Sequence, residues 1–150
     1  MAILIALHVV AAVVWVGGMF FAYVVLRPSA GPLQSETRLA LWHRVFGKFF
    51  PWVSTSIVVL LASGYGMMFR YFGGFAGAAP YIHVMQGIGI VMMLLFLHLF
   101  FVPWRRFGTA VESRHFAEAA RYLGQIRRIV ATNLVLGLVT IIVGASGRFW

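Results

Sequence analysis

The chain has 150 residues, of which 62% are hydrophobic, only 10% are charged and none is cysteine. Soluble domains are about 45–50% apolar and about 25% charged, so the composition excludes a typical cytosolic enzyme and a disordered chain. The net charge of +9 comes from basic residues between long uncharged runs, which favours a membrane protein and argues against a nucleic-acid partner.

Four apolar runs are each long enough to cross a bilayer, which takes about 20 residues of helix. The runs do not alternate between apolar and polar residues as barrel strands would, so they predict helices. The predicted spans cover residues 2–27, 50–71, 80–104 and 128–147. The sequence therefore predicts an all-α, antiparallel bundle of four transmembrane helices in a lipid bilayer, forming a single membrane domain over residues 1–150.

The basic residues predict the orientation of the bundle. Ten of the twelve Lys and Arg residues fall in the connection after the first span or the connection after the third. Cytoplasmic connections are enriched in Lys and Arg, so both termini and the second connection are predicted outside, in a bacterial inner membrane. An outer aromatic belt is predicted at Tyr71, Tyr81 and Trp150.

Both basic connections contain apolar residues at helical spacing. One stripe includes Leu39, Trp42 and Phe46, and the other runs from Phe116 to Val130. Such stripes predict amphipathic helical segments in the headgroup layer, and solvated amphipathic linkers are the simpler interpretation.

One face of the fourth span consists of small and polar residues at helical spacing. In lipid, small residues let helices approach closely, so this face is predicted to be an inward packing seam. Its members are Asn133, Gly137, Thr140, Gly144 and Gly147.

Three histidines, His8, His83 and His98, lie at membrane depth, where an ionisable group is costly and faces the bundle interior or a cavity. His8 and His83 lie on different spans, each within roughly 10 Å of the outer boundary. Two imidazoles at one level predict bis-histidine ligation of a haem b iron. Gly87 would leave room for the macrocycle, and Arg70 is the predicted partner of a haem propionate.

The haem interpretation implies electron transfer, and a membrane oxidoreductase is one form of it. Quinone or another redox protein is the candidate partner, and His98 marks a second inner site or a quinone contact. His43 and His115 lie in cytoplasmic segments, where solvent or headgroups can satisfy them.

Two alternatives stay open beside haem. Imidazole and thioether groups suit Cu(I), so His8 and His83 could form a copper site with Met67, Met68 or Met85. The third interpretation is an accessory membrane subunit without a cofactor. The sequence leaves the oligomeric state open, including a homo-oligomer.

Several segments carry a resemblance to a known family. The first span reads LHVVAAVVWVGGMFFAYVVLRP, with Trp15 seven residues after its histidine and then Gly-Gly and Arg-Pro. The stretches RVFGKFFPWVSTSIVVLLASGYGMMF, YIHVMQGIGIVMMLLFLHLFFVPWRR and RRIVATNLVLG follow. Over nearly its whole length the chain resembles the small CopD-domain membrane proteins, a family named for copper resistance or uptake.

The small CopD-like proteins also resemble the bacterial membrane protoporphyrinogen oxidases, which bind haem b. That resemblance implies His8 and His83 as the haem ligands and Trp15 as a cofactor contact. The oxidases have a lysine shortly after the later histidine, where this chain reads Val84-Met85-Gln86. The resemblance therefore implies haem binding more strongly than protoporphyrinogen oxidation.

Overall fold

The computed structural model describes residues 1–149, and helices are the regular secondary structure of these residues. Its helices are α1 (Ala2–Ser29), α2 (Ser35–Tyr71), α3 (Pro80–Phe101), α4 (Pro103–Glu112) and α5 (Phe116–Ser146), followed by a 3-10 turn at Gly147–Phe149. Four segments are long and apolar enough to cross a membrane: α1, α2, α3 together with α4, and α5 with its final turn. The predicted all-α architecture with four membrane helices is thus confirmed. Trp150, predicted in the outer belt, lies outside the described residues.

The helices form a bundle with two distinct ends. α1 packs on α2 and α5, and α3 packs on α5. We call one end the basic end, because it carries the connections rich in arginine, and the other the loop end, because it carries the connection 72–79. His8 and His83 lie toward the loop end, and His98 lies near the basic end of α3.

The basic connections are helical, as their apolar stripes predict, but the stripes are buried within the protein and are not the faces of solvated linkers. α2 runs without a break through Pro51, so the first amphipathic segment and the second span are one helix. α4 folds back on α5 through a turn at Arg114, whose φ is 58°. The apolar stripes bury one another instead of facing headgroups, which removes more apolar surface from water. The buried residues include Leu39, Trp42, Phe107, Ala110, Ala119, Leu123 and Ile126.

Aromatic rings fill the half of the bundle nearest the basic end. Phe50 of α2 stacks on Phe46 at a centroid distance of 5.0 Å, and its edge contacts Trp104 at 5.1 Å. Phe50 also meets Phe96 of α3 at 5.7 Å. Because aromatic pairs at these distances add to the energy of burial, this half of the bundle contains much of the hydrophobic core.

The predicted seam of small residues on α5 is confirmed. A Cβ added at Gly137 would lie 2.8 Å from Val16 Cγ2, and one at Gly144 would lie 2.8 Å from Met85 Cε. Asn133 donates from Nδ2 to the Met92 carbonyl oxygen of α3 over 3.1 Å. The seam therefore seats α5 against both α1 and α3.

α1 departs from regular α-helix in two segments. Val13–Gly17 and Phe21–Leu26 have π-helical hydrogen bonding, in which a local residue excess widens the turn. Gly18 lies between them, and a Cβ there would overlap the Phe49 ring of α2. The close approach of α1 to α2 therefore depends on glycine at this position.

Candidate functional site

The best-defined polar contact at the loop end joins α1 to α2. His8 is half-buried, and its Nδ1 lies 2.9 Å from Oγ of the buried Ser63. Gly64 lies beside the same ring, because a Cβ there would be 3.2 Å from His8 Cε1. The imidazole is therefore held between its own helix and α2 by a hydrogen bond and by a close backbone approach.

The hydrogen bonds around Ser63 bear on the tautomer of His8. Ser63 Oγ lies within reach of the Val59 carbonyl oxygen and 3.4 Å from the Leu60 carbonyl oxygen. When the hydroxyl donates its one proton to Val59, Oγ accepts a hydrogen bond from Nδ1–H of His8. A neutral imidazole with its proton on Nδ1 keeps a lone pair on Nε2. This is the arrangement in which a histidine can ligate a metal through Nε2.

His83 occupies a different environment. It is exposed on α3, whereas Met85, about 200° further round that helix, packs against Gly144 of α5. His98 lies within about 60° of the His83 direction and is also exposed. The structure thus places both histidines on the face of α3 that points away from α5, and it does not join either of them to His8 by a hydrogen bond.

The residues predicted around a haem are also distributed over the bundle. Gly87 lies on the same exposed face as His83, with open space where a Cβ would be. Arg70 is exposed in the last turn of α2. Trp15 is buried in the aromatic core, 6.3 Å from the Phe96 centroid, so its surroundings are those of a packing residue. Bis-histidine haem binding through His8 and His83 stays a prediction.

The methionines differ in their relation to His8. Met67 follows Ser63 by four residues, which puts it on the same face of α2, one turn nearer the loop end, and it is half-buried. Met68 is buried at 4% exposure, on a direction about 100° further round the helix. Met85 faces α5 across the bundle. Met67 thus lies one turn beyond Ser63 on α2 and Met68 one turn beyond Gly64, the two residues that contact His8.

Two further polar residues bridge α2 and α3 near this level. Gln86 donates from Nε2 to the Tyr65 hydroxyl over 3.0 Å. Within residues 1–149, no three His, Cys, Asp or Glu side chains are close enough to hold one metal ion. A metal held at the loop end by more than two ligands would therefore need thioether, hydroxyl or amide groups beside imidazole.

Sequence reasoning missed Ser63 as part of a site, because Ser63-Gly64-Tyr65-Gly66 is typical of close helix packing. The glycines do pack closely, but the hydroxyl between them orients His8. The hydroxyl of Ser63 at membrane depth was the available sign of a polar contact. That His8 is its partner depends on the register between α1 and α2, which a single sequence does not contain.

A comparison with protein-family models gives a match over residues 43–146, to copper resistance protein D. The match takes in most of α2 and all of α3, α4 and α5, and α1 with His8 precedes it. Comparisons with curated proteins and with solved structures gave no match. Since the matched region exceeds half of the chain and includes three of the four apolar spans, the chain belongs to the copper resistance protein D family of membrane proteins.

Proposed function

We propose that the chain is an integral protein of the bacterial inner membrane that handles copper, with Cu(I) bound at the loop end. Membership of the copper resistance protein D family is the observation that carries this proposal. The same observation favours copper over the haem interpretation. The loop end is proposed to face outward, since the basic end has the charge expected of a cytoplasmic surface.

His8 is the anchoring ligand in this proposal. Its Nδ1–H is fixed by Ser63, so Nε2 has the lone pair that a metal requires. Such partners of ligating histidines orient the ring, and their loss typically lowers metal affinity by about 10–100-fold. A half-buried imidazole also exchanges ligands more readily than a fully enclosed one, as transfer of a metal cargo demands.

Met67 is proposed as the second ligand. Thioether and imidazole groups both suit Cu(I), which accepts few ligands and soft donors. Met67 shares the Ser63 face of α2, whereas Met85 packs into the seam on α5. Met67 and Met85 therefore form a matched pair for mutation, one on the Ser63 face of α2 and one packed into the seam on α5.

The test measures Cu(I) affinity of the purified protein by competition with a chromophoric chelator, together with growth of a copper-sensitive bacterium that expresses each variant. His8→Ala and Ser63→Ala should each weaken Cu(I) binding by at least about tenfold. Met67→Leu should also weaken it, whereas Met85→Leu should bind as the wild type does. Growth of the bacterium over a series of copper concentrations should differ from that with the wild type most for the variants that lose the most Cu(I) affinity.

Melting curves of each variant separate loss of the ligand from loss of the fold. Wild-type affinity in a folded His8→Ala variant would overturn the proposal. The proposal would also be overturned if protein purified from haem-sufficient cells showed a haem absorption band and if His8→Ala and His83→Ala each abolished that band. Equal copper phenotypes for all variants and an empty vector would instead favour an accessory subunit.

A further inference from the structure

Three arginines from distant parts of the chain converge on one cavity at the basic end. Arg27 of α1, Arg38 of α2 and Arg127 of α5 line a cavity of about 430 Å³, together with Tyr23 and Gly31. Cavities of roughly 300–1,000 Å³ are of the size that binds small ligands. The cavity is therefore large enough for a small ligand, and three positive charges line it.

These charges are not neutralised within the protein. Among residues 1–149 the one ion pair joins Arg121 to Glu118 at 3.8 Å, and neither residue lines the cavity. The charges of Arg27 and Arg38 repel that of Arg127. Arg27 is exposed and Arg38 and Arg127 are half-buried, so water screens this repulsion only in part, and a bound anion would lower the energy of the folded state.

Arg127 also has an unused donor. Its Nε is buried and has no hydrogen-bond acceptor in the described chain, while its guanidinium lies over the Trp42 ring, 5.8 Å from the centroid. A buried donor without an acceptor is uncommon in folded proteins and calls for a specific explanation. Since this nitrogen has no accessible surface, an anion in the cavity would be met by the terminal nitrogens of the same guanidinium, which the contact with Trp42 holds in place.

The other two arginines are held in place by contacts that leave most of their donors free. Arg38 donates from one terminal nitrogen to the carbonyl oxygens of Gly31 and Leu33, over 3.1 and 3.3 Å. Arg27 lies over the Tyr23 ring at 4.8 Å. The guanidinium has five N–H donors in one plane. An arginine held in this way can therefore bind two oxygens of the same phosphate at once.

The position of the cavity along the membrane normal suggests the source of the anion. No charged side chain occurs from Met1 to Leu26, and Arg27 is the first, at the basic end of α1. That boundary is the level of the lipid headgroups. We propose that the cavity of Arg27, Arg38 and Arg127 is a binding site for a phosphate group, presented by an acidic phospholipid headgroup or by free phosphate.

The experiment uses the full chain, purified and delipidated in detergent. Native mass spectrometry and melting curves are recorded with phosphatidylglycerol, phosphatidylcholine or inorganic phosphate. Phosphatidylglycerol should bind, and the double variant Arg38→Gln/Arg127→Gln should weaken binding by at least about tenfold, since hydrogen bonds to charged groups are lost. The matched control Arg44→Gln/Arg128→Gln removes the same charge from exposed positions on the same two helices, and should bind as the wild type does.

The titrations with phosphatidylglycerol and with inorganic phosphate distinguish a lipid headgroup from free phosphate as the bound group. Binding of phosphatidylglycerol that inorganic phosphate does not displace assigns the site to lipid, whereas equal stabilisation by inorganic phosphate assigns it to the soluble anion. Arg27→Gln, at an exposed position, provides a second variant should the double variant fail to fold. Wild-type binding in the folded site variants, equal losses in the control, or no binding of either phosphate source would overturn the proposal.

Discussion

Single residues with little or no side chain determine how closely the helices approach. Gly18 admits the Phe49 ring, Gly64 admits His8, and Gly137 admits Val16 and Met92. In a bilayer, lipid is as apolar as the helices, so association depends on close packing and on hydrogen bonds between helices. The site at His8 is one instance of this principle, because Gly64 brings the imidazole close enough for Ser63 to bind it.

Gly137 provides a direct test of this packing. A Cβ at this position would lie 2.8 Å from Val16 Cγ2 and 3.2 Å from Met92 Cε, and the branched valine has little freedom to move. Gly137→Ala should therefore destabilise the protein by about 1–3 kcal/mol through overpacking. The measurement is the melting temperature in detergent.

The control for this variant lies on the same helix. A Cβ at Gly124 meets nothing within 4 Å, so Gly124→Ala should be neutral or stabilising by up to about 1 kcal/mol, the helix-propensity difference. Equal losses of melting temperature in both alanine variants would show that overpacking at Gly137 is not the cause of the destabilisation.

At the scale of helices, the basic end is a folded extension of the bundle. α4 and the early turns of α5 and α2 bury a common core in which Phe107 and Ile126 are fully buried and Leu39 is nearly so. α2 and α5 thereby run from their apolar spans into this core as continuous helices. This continuity also holds Arg38 and Arg127 at fixed positions beside Arg27.

Phe107→Ala should destabilise this extension strongly. Removal of a fully buried phenylalanine costs about 3–5 kcal/mol, and the loss should appear as faster amide hydrogen exchange in α4 and in the first turns of α2 and α5. Phe101→Ala is the matched control, because that ring is 55% exposed at the end of α3. Rapid exchange in both variants, or in neither, would contradict a core centred on Phe107.

The sequence predicts the membrane helices well and their contacts less well. Length and hydropathy identify each span without reference to its neighbours, and the spacing from Asn133 to Gly147 identifies the seam, because both are properties of one segment. The sequence does not predict the continuity of α2 through Pro51, because the apolar stripe of Leu39, Trp42 and Phe46 and the span that begins at residue 50 have the patterns of two separate elements. The pairings of His8 with Ser63 and of Arg27 with Arg127 depend on the register between distant helices, which a single sequence does not specify.

At the scale of the whole molecule, the two ends differ in charge. Ten of the twelve basic residues belong to the basic end, and Arg70 and Arg148 are the two at the loop end. This asymmetry predicts that the basic end lies in the cytoplasm and the loop end outside. Both proposals depend on it, because copper would then be met at the outer face and phosphate at the inner one.

Single-cysteine labelling tests the orientation, and the chain is suited to it because it has no cysteine of its own. Ala76→Cys introduces a thiol in the exposed connection 72–79, and Ser113→Cys introduces one in the exposed turn between α4 and α5. A membrane-impermeant maleimide should label the first variant in intact spheroplasts and the second only after the membrane is permeabilised. The reverse pattern would place the arginines outside. That result would contradict the outward-facing copper site, and the His8 site would then meet cytoplasmic copper.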